Sequence, residues 1–327
     1  MSKKIAVIGC GYWGKNLVRN FSQLGSLKCV FDPDVQISNK MAEAYDVDSC
    51  SLDDILLDDD IKGVVIAAPA TKHFPLAQKC MQAGKNVFVE KPLALDINDA
   101  EILINLSKKR NLNLMVGHLL QYHPAFIELL RICRNGLLGD ISYISSTRHS
   151  FGKIRREEDV IWSFAPHDIS MVLSLADSNP KEVFTHAVSI YQKNIADKAL
   201  INLAFGNSLK ADISVSWTHP VKEQKVLVIG NKGLAIFDDR QEWQKKLFLT
   251  QTDIQIDSEN FKYDRDNGEF VKLEEVEPLR NECKYFLDLI EGKISPRTDG
   301  DEGLKVLKIL KAASVSARKN QIIQTNE

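Results

Sequence analysis

The first 117 residues alternate short, continuously apolar runs with segments whose apolar positions recur at helical spacing. The runs Lys4–Gly9, Leu27–Phe31, Gly63–Ala67, Asn86–Glu90 and Asn113–Gly117 are rich in valine and isoleucine. Apolar residues at consecutive rather than alternate positions mark strands covered on both faces, as in a parallel sheet. Helices are predicted between them, over roughly Gly14–Leu24, Val35–Ala44, Thr71–Ala83 and Ile97–Arg110. In the third, Phe74, Ala77 and Met81 form the apolar stripe and Gly84 the stop. Asp96 is placed to cap the fourth. Strands alternating with helices in this way imply a doubly wound Rossmann-type α/β domain, expected over residues 1–120.

Beyond Gly117 the pattern changes. A helix is predicted near Pro124–Arg134, then a strand near Ile141–Thr147, a basic glycine-containing loop, and a helix from Trp162 to Leu175. Strand-like runs follow at Glu182–Tyr191, Ala199–Phe205, Ser208–Trp217, Lys225–Gly230 and Leu234–Asp238, punctuated by turn residues at Asn207, Asn231-Lys232-Gly233 and Asp239. Strands joined by tight turns predict an open, mostly antiparallel sheet. Its long edges need covering, which points to a homodimer or homotetramer packed through this sheet. Gln251–Glu277 is polar and gives no clear pattern. Helices are expected at Pro278–Glu291 and Asp301–Lys319, the last able to pack back on the first domain. The second domain is thus expected over 121–327, as an α/β substrate-binding and oligomerisation domain.

Composition narrows the function classes. The chain is 44% hydrophobic and 26% charged, with a formal net charge of -2. That is ordinary for a soluble globular protein and lacks the basic excess of a nucleic-acid or anionic-membrane binder. No signal-peptide core or membrane-length apolar run is present, so a cytoplasmic protein is expected. The six cysteines (Cys10, Cys29, Cys50, Cys80, Cys133 and Cys283) are scattered. Without Cys-x-x-Cys or a Cys/His cluster in the sequence, reduced thiols and no metal are expected.

Two motifs bring chemistry. Gly9-Cys10-Gly11-Tyr12-Trp13-Gly14 fits G-x-G-x-x-G, follows an apolar strand and opens a helical pattern. The glycines permit a tight turn, close approach of backbone to a pyrophosphate, and close packing of helix on strand. Asp32 ends the second predicted strand, near the roughly 20-residue spacing of an acid that binds the adenosine ribose. Its carboxylate would repel a 2′-phosphate, and Pro33, Asp34 and Val35 offer no arginine to receive one. The cofactor is therefore expected to be NAD. A plain glycine turn and a plain Asp-Pro turn are the alternative readings.

The second motif, Glu90-Lys91-Pro92, lies where ligands bind, at the carboxyl end of a predicted strand. Burial beside a nicotinamide cation would lower a lysine from about 10.4 toward roughly 7–8, in range for proton transfer. Glu90 could orient it, and Pro92 permits a cis bond. Spacing alone fits a surface Lys-Pro turn equally well.

These motifs, with Ala68-Pro69-Ala70-Thr71-Lys72-His73, Ala83-Gly84-Lys85, His167-Asp168-Ile169 and Arg297-Thr298-Asp299-Gly300, resemble the Gfo/Idh/MocA oxidoreductases along essentially the whole chain. The resemblance implies that Lys91 handles the proton of an oxidised hydroxyl and that His167 assists. It implies cofactor contacts from the Gly9–Gly14 loop with Tyr12 and Trp13, and from Asp32, Ala68, Pro69, His73, Glu90 and Lys91. Two positions depart from the family pattern. Ser163 stands where an acid is common four residues before the histidine, leaving Asp168 or a water as substitutes in the relay. Gln121 stands where many members carry arginine. Taken bare, His167 would be a structural residue.

Arg148, Lys153, Arg155 and Arg156 surround Gly152 just ahead of Trp162. Guanidinium groups match phosphate oxygens, so this stretch reads as a diphosphate site or, equally, as a solvated loop beside Glu157, Glu158 and Asp159. The segment Arg148–Asp168 resembles the family members of bacterial nucleotide-sugar pathways, similar to UDP-N-acetylglucosamine and UDP-N-acetylglucosaminuronate 3-dehydrogenases, which feed lipopolysaccharide, O-antigen or capsule synthesis. That resemblance implies oxidation at C3 of a UDP-N-acetylated sugar. Substrate contacts are then expected from Lys91, His118, Arg148, Lys153, Arg155, Arg156, Trp162, Ser163 and His167. A dehydrogenase of free polyols or sugars and a non-catalytic NAD sensor are the competing readings.

Overall fold

The computed structural model of the protein describes residues 4–152, 154–206, 208–256 and 261–325. The chain divides into two units, Met1–Tyr122 with Glu277–Leu307, and His123–Val276 with Lys308–Glu327. The segment expected as one second domain, 121–327, is therefore shared between them.

The first unit carries strands β1 (Ile5–Ile8), β2 (Leu27–Phe31), β3 (Asp48–Ser49), β4 (Gly63–Ile66), β5 (Asn86–Glu90) and β6 (Leu114–Gly117). They form one parallel sheet in the order β3-β2-β1-β4-β5-β6. Every residue of β1, β4 and β6 is buried, which is why these strands read as unbroken apolar runs. Helices α1 (Gly14–Gln23), α2 (Val35–Tyr45), α3 (Leu52–Leu57), α4 (His73–Gln82) and α5 (Ile97–Arg110) connect them. Asp96 caps α5 as predicted, accepting from the Asn98 amide. The acidic run Asp53-Asp54 belongs to α3, which starts on a Ser51/Asp54 capping box.

The later segment joins this unit for a packing reason. In α8 (Pro278–Ile290), Leu279, Cys283, Phe286 and Leu287 enter the same core as Val7, Phe88 and Met115. Phe286 meets Phe88 edge to face at 5.6 Å. A Cβ on Gly63 would lie 2.6 Å from Ile290, so the missing side chain makes room for α8. The Arg297-Thr298-Asp299 segment then runs beside β6. Thr298 accepts from the Val116 amide through its carbonyl and donates its hydroxyl to the Val116 carbonyl. Arg297 donates to the Gln121 carbonyl and lies over the rings of Tyr122 and Tyr285. In this structure that motif clamps the edge of the sheet.

The second unit is built on a ten-stranded sheet. It contains the helices α6 (Pro124–Arg134) and α7 (Val160–Ala176) and, from Lys308 on, the later turns of α9 (Gly300–Lys319). Its strands are β7 (Ile141–Phe151), β8 (Glu182–Val188), β9 (Lys198–Ala204), β10 (Lys210–Ser216), β11 (Thr218–Gly230), β12 (Gly233–Asp238), β13 (Leu247–Ile256), β14 (Phe261–Arg265), β15 (Glu269–Phe270) and β16 (Ile323–Gln324). The order is β14-β13-β12-β11-β7-β10-β9-β8-β16, with β15 on β13. Pairing is antiparallel except between β7 and β10. Ile144, Ser146, Ile213 and Val215 are buried on the face toward α7, while Leu200 and Ile236 are exposed on the other.

Two strands outrun their predicted limits. β7 continues to Phe151, and β11 begins at Thr218 rather than Lys225. Arg148 is therefore a strand residue. Lys153 and Asn207 lie outside the described residues. Among those described, no helix is long and apolar enough to cross a membrane.

Candidate functional site

Because the first sheet is parallel, the carboxyl ends of its strands share one edge, and its order reverses between β1 and β4. Ligands of open α/β sheets bind beyond that edge at such a reversal. Gly9–Gly14 follows β1, Asp32 follows β2, Ala68 and Pro69 follow β4, Lys91 follows β5, and His118 follows β6. Glu90 is the last residue of β5.

The glycine loop separates internal from external demands. Gly9 has φ +91°, and a Cβ there would lie 2.8 Å from the Ala67 carbonyl. A Cβ on Gly14 would meet the Gly9 oxygen at 1.8 Å. Both are fixed by strand-to-helix packing. A Cβ on Gly11 would meet nothing within 4 Å, so the fold itself places no such demand there. Close approach of a ligand to the backbone supplies one. α1 opens with no side-chain cap and no acid in its first turn, which leaves its amides to an anion. These residues fit a dinucleotide.

Asp32 is oriented by the same loop. Its Oδ2 accepts from the Cys10 amide at 2.8 Å and its Oδ1 from the Asp34 amide at 3.0 Å. Burial first, and then the charge of Asp32, push the Cys10 thiol up to about 12, so it stays protonated and unreactive. Asp32→Ala is expected to narrow the preference for NAD over NADP about 10- to 100-fold, through loss of hydrogen bonds to a charged acceptor. Equal preference in variant and wild type, measured by cofactor titration, would contradict that role.

Glu90 accepts from the Trp13 indole at 2.6 Å, tying the glycine loop to the end of β5. Gly117 leaves space for this carboxylate, since a Cβ there would lie 3.0 Å from its carboxyl carbon. Burial raises the pKa of Glu90, against the indole donor and the Lys91 ammonium. The Lys91–Pro92 bond is cis. His73 is buried, with Nδ1 2.7 Å from the Pro92 carbonyl and Nε2 2.8 Å from the Ala68 carbonyl. The ring thus sits between the loops after β4 and β5, with one N–H to donate to either carbonyl. His118 is also buried, its Nδ1 2.6 Å from Glu302.

Sequence reasoning missed one residue here. Glu282 of α8 is fully buried, and neither carboxyl oxygen has a hydrogen-bond partner among the described residues. Burial first, and then the charge of Glu90, hold it well above the usual carboxylate range. The folded chain therefore keeps a proton that the unfolded chain releases near pH 4.3. Stability is full below that pH and falls as pH rises toward the raised folded value, by at most about 1.4 kcal/mol per pH unit. Glu282→Gln should lose less melting temperature than wild type between pH 5 and pH 8. Parallel profiles would show that the group does not titrate in this way.

In the second unit, α7 starts at Asp159, whose carboxylate accepts from the Trp162 amide. Ser163 and His167 stand four residues apart on α7, which places them on one helix face. The helix runs through Pro166, which has no amide to donate to the preceding turn. The Trp162 indole donates to Ser314 of α9 at 2.9 Å, and Lys311 lies over its ring.

The basic stretch is divided. Arg148 Nε lies 2.6 Å from Asp168 Oδ2 and Nη2 3.3 Å from Oδ1, and the Ser146 hydroxyl donates to Oδ1 at 2.7 Å. Asp168 is 1% exposed. A carboxylate this deep needs a cation and hydrogen bonds, and these occupy Arg148. Arg148, itself half-buried, is thus the counterion of the buried Asp168. Arg155 pairs with Glu158 at 2.5 Å, and Arg156 is exposed.

Residues 3–118 match the oxidoreductase family with NAD-binding Rossmann fold, and residues 126–236 match the GFO/IDH/MocA C-terminal domain. The chain is 28% identical over 214 residues to UDP-N-acetylglucosamine 3-dehydrogenase of Acidithiobacillus ferrooxidans, spanning 65% of this chain and 66% of that one. It is 24% identical to inositol 2-dehydrogenase of Rhizobium meliloti, across 98% of this chain and 99% of that one. A solved structure of UDP-N-acetylglucosamine 3-dehydrogenase from Acidithiobacillus ferrooxidans superposes with a TM-score of 0.85 at 24% identity, covering 98% and 99% of the two chains. At that identity the superposition speaks for the fold. With a six-stranded Rossmann sheet, an ordered dinucleotide loop and both family domains matched, the chain belongs to the Gfo/Idh/MocA family of NAD-binding oxidoreductases.

Proposed function

We propose that the protein is a dehydrogenase that oxidises a sugar hydroxyl with NAD, its substrate a UDP-linked N-acetylated hexose or hexuronate reacting at C3. The observation that carries the dehydrogenase reading is the position of Lys91. It is the first residue past β5, next to a carboxylate that Trp13 ties to the dinucleotide loop. NAD, when bound, supplies the hydride acceptor. Lys91 takes the hydroxyl proton, and Glu90 and the His73 pin hold the backbone from which it projects. His167 is the proposed second proton-handling group.

The nucleotide-sugar reading draws on the 28% identical relative of that name. With Arg148 committed to Asp168, diphosphate recognition falls to the stretch containing Lys153, Arg155 and Arg156. In this reading the enzyme works in the cytoplasm, in synthesis of lipopolysaccharide, O-antigen or capsule. It assembles as a homodimer or homotetramer through the exposed face of the second sheet, where Leu200 and Ile236 leave apolar surface. A free-polyol dehydrogenase is the second reading, favoured by the engagement of Arg148 with Asp168 and by the inositol 2-dehydrogenase relative.

A substrate panel separates them. Protein, NAD and UDP-N-acetylglucosamine or its uronate should give NADH and a product two mass units lighter. Turnover of free inositol or glucose with no response to any UDP-sugar would overturn the substrate proposal. NAD binding without turnover of any sugar would favour a sensor. Light scattering in solution that gives the mass of one chain would overturn the oligomer.

A further inference from the structure

We propose that His149, His219 and Glu223 form a binding site for one divalent transition-metal cation of the zinc type, on the sheet face of the second unit opposite α7. The geometry begins with an irregular pairing of β11 on β7. Thr218 pairs with Phe151 and Glu223 with His149, so β11 advances five residues while β7 moves two. Bulges of this kind re-aim side chains. Here the excess chain turns His219 back over His149, with ring centroids 4.7 Å apart. Glu223 stands directly across the ladder from His149, its Oε2 3.0 Å from His149 Nδ1. One ligand atom from each of the three lies within 4.8 Å of the others.

The face follows from strand alternation. Ser146 and Arg148 point toward α7, where they meet Asp168. His149 points the other way, to Ser214 on the neighbouring strand, with 2.8 Å between Nε2 and the hydroxyl. The cluster therefore lies apart from the α7 residues assigned to the sugar chemistry and does not depend on that assignment.

The donor set suits a cation. The Val221 backbone engages His219 Nδ1, with its carbonyl at 2.7 Å and its amide at 3.3 Å, and leaves Nε2 as the nitrogen for a metal. If His149 donates from Nε2 to Ser214, its Nδ1 lone pair faces the Glu223 carboxylate. In the other tautomer Nδ1–H donates to that carboxylate, and a metal would displace this proton. Bonds of about 2.0–2.2 Å put tetrahedral ligands roughly 3.2–3.6 Å apart, so a small contraction of the cluster completes a two-histidine, one-carboxylate site with an open position. Lys198 works against the cation, and Glu223 is the carboxylate that offsets it.

The test uses full-length protein stripped with chelator and titrated with zinc by calorimetry, and with cobalt(II) by visible absorption. One equivalent of zinc is expected, with the d–d bands of a low-coordinate cobalt site. His219→Ala and the isosteric Glu223→Gln should each weaken binding about 10-fold or more, while His186→Ala, at an exposed histidine, should not. Absence of saturable binding in wild type, or equal affinity in both cluster variants, would overturn the site.

Discussion

Lys91→Met should bind NAD with wild-type affinity and lose about 10²- to 10⁴-fold in kcat, the range that a positioned acid–base group contributes. The substitution keeps an apolar stem of similar length and removes the amine. The dinucleotide loop is held without it, by Trp13 on Glu90 and by Cys10 on Asp32. Binding and chemistry should therefore separate. Lys91→Arg should not restore the rate, because a guanidinium does not release its proton at working pH. Cofactor titration by protein fluorescence, with single-turnover kinetics, reads both quantities. A rate within a few fold of wild type would remove Lys91 from the chemistry, and lost NAD binding would make it a structural residue.

The second large effect is on stability. Asp168→Ala should cost about 3 kcal/mol, because the half-buried Arg148 would lose its counterion and the buried Ser146 its acceptor. For a unit of this size that amounts to a fall in melting temperature on the order of 10 °C. The Coulomb attraction of the intact pair is largely spent on desolvation, so replacing both partners should cost less than replacing one. Arg148→Met with Asp168→Leu is expected to regain much of the loss. If Asp168→Ala melts within a degree or two of wild type, the pair is not the buried anchor described here.

The first unit was largely legible in the sequence because its strands are buried on both faces and write themselves as apolar runs. Leu27–Phe31, Asn86–Glu90 and Ile97–Arg110 fall where their pattern predicts. The positions of the glycine loop after β1 and of Asp32 after β2 were legible because the motif sets them at fixed short spacing. The second unit was harder. The predicted end of β7 at Thr147 followed the polar composition beyond it, but pairing with β10 and β11 carries the strand on to Phe151. That shift turned Arg148 from a loop residue into the partner of a carboxylate 20 residues away, a contact that no local pattern announces. Glu282 was invisible for a related reason: a charged residue in a helix reads as a solvated face until packing buries it. His149 lies 70 residues before His219, too far to join His219 and Glu223 in a short-spacing ligand motif, and only the bulged ladder gathers the three.

The most direct test of the central claim follows a labelled hydrogen. UDP-N-acetylglucosamine carrying deuterium at sugar C3 is incubated with the protein and NAD, and the reduced cofactor is analysed by mass spectrometry. The account predicts one deuterium on the nicotinamide ring and a keto sugar still attached to UDP. Reduced cofactor without deuterium, or no reduction while a free polyol is turned over, would contradict it.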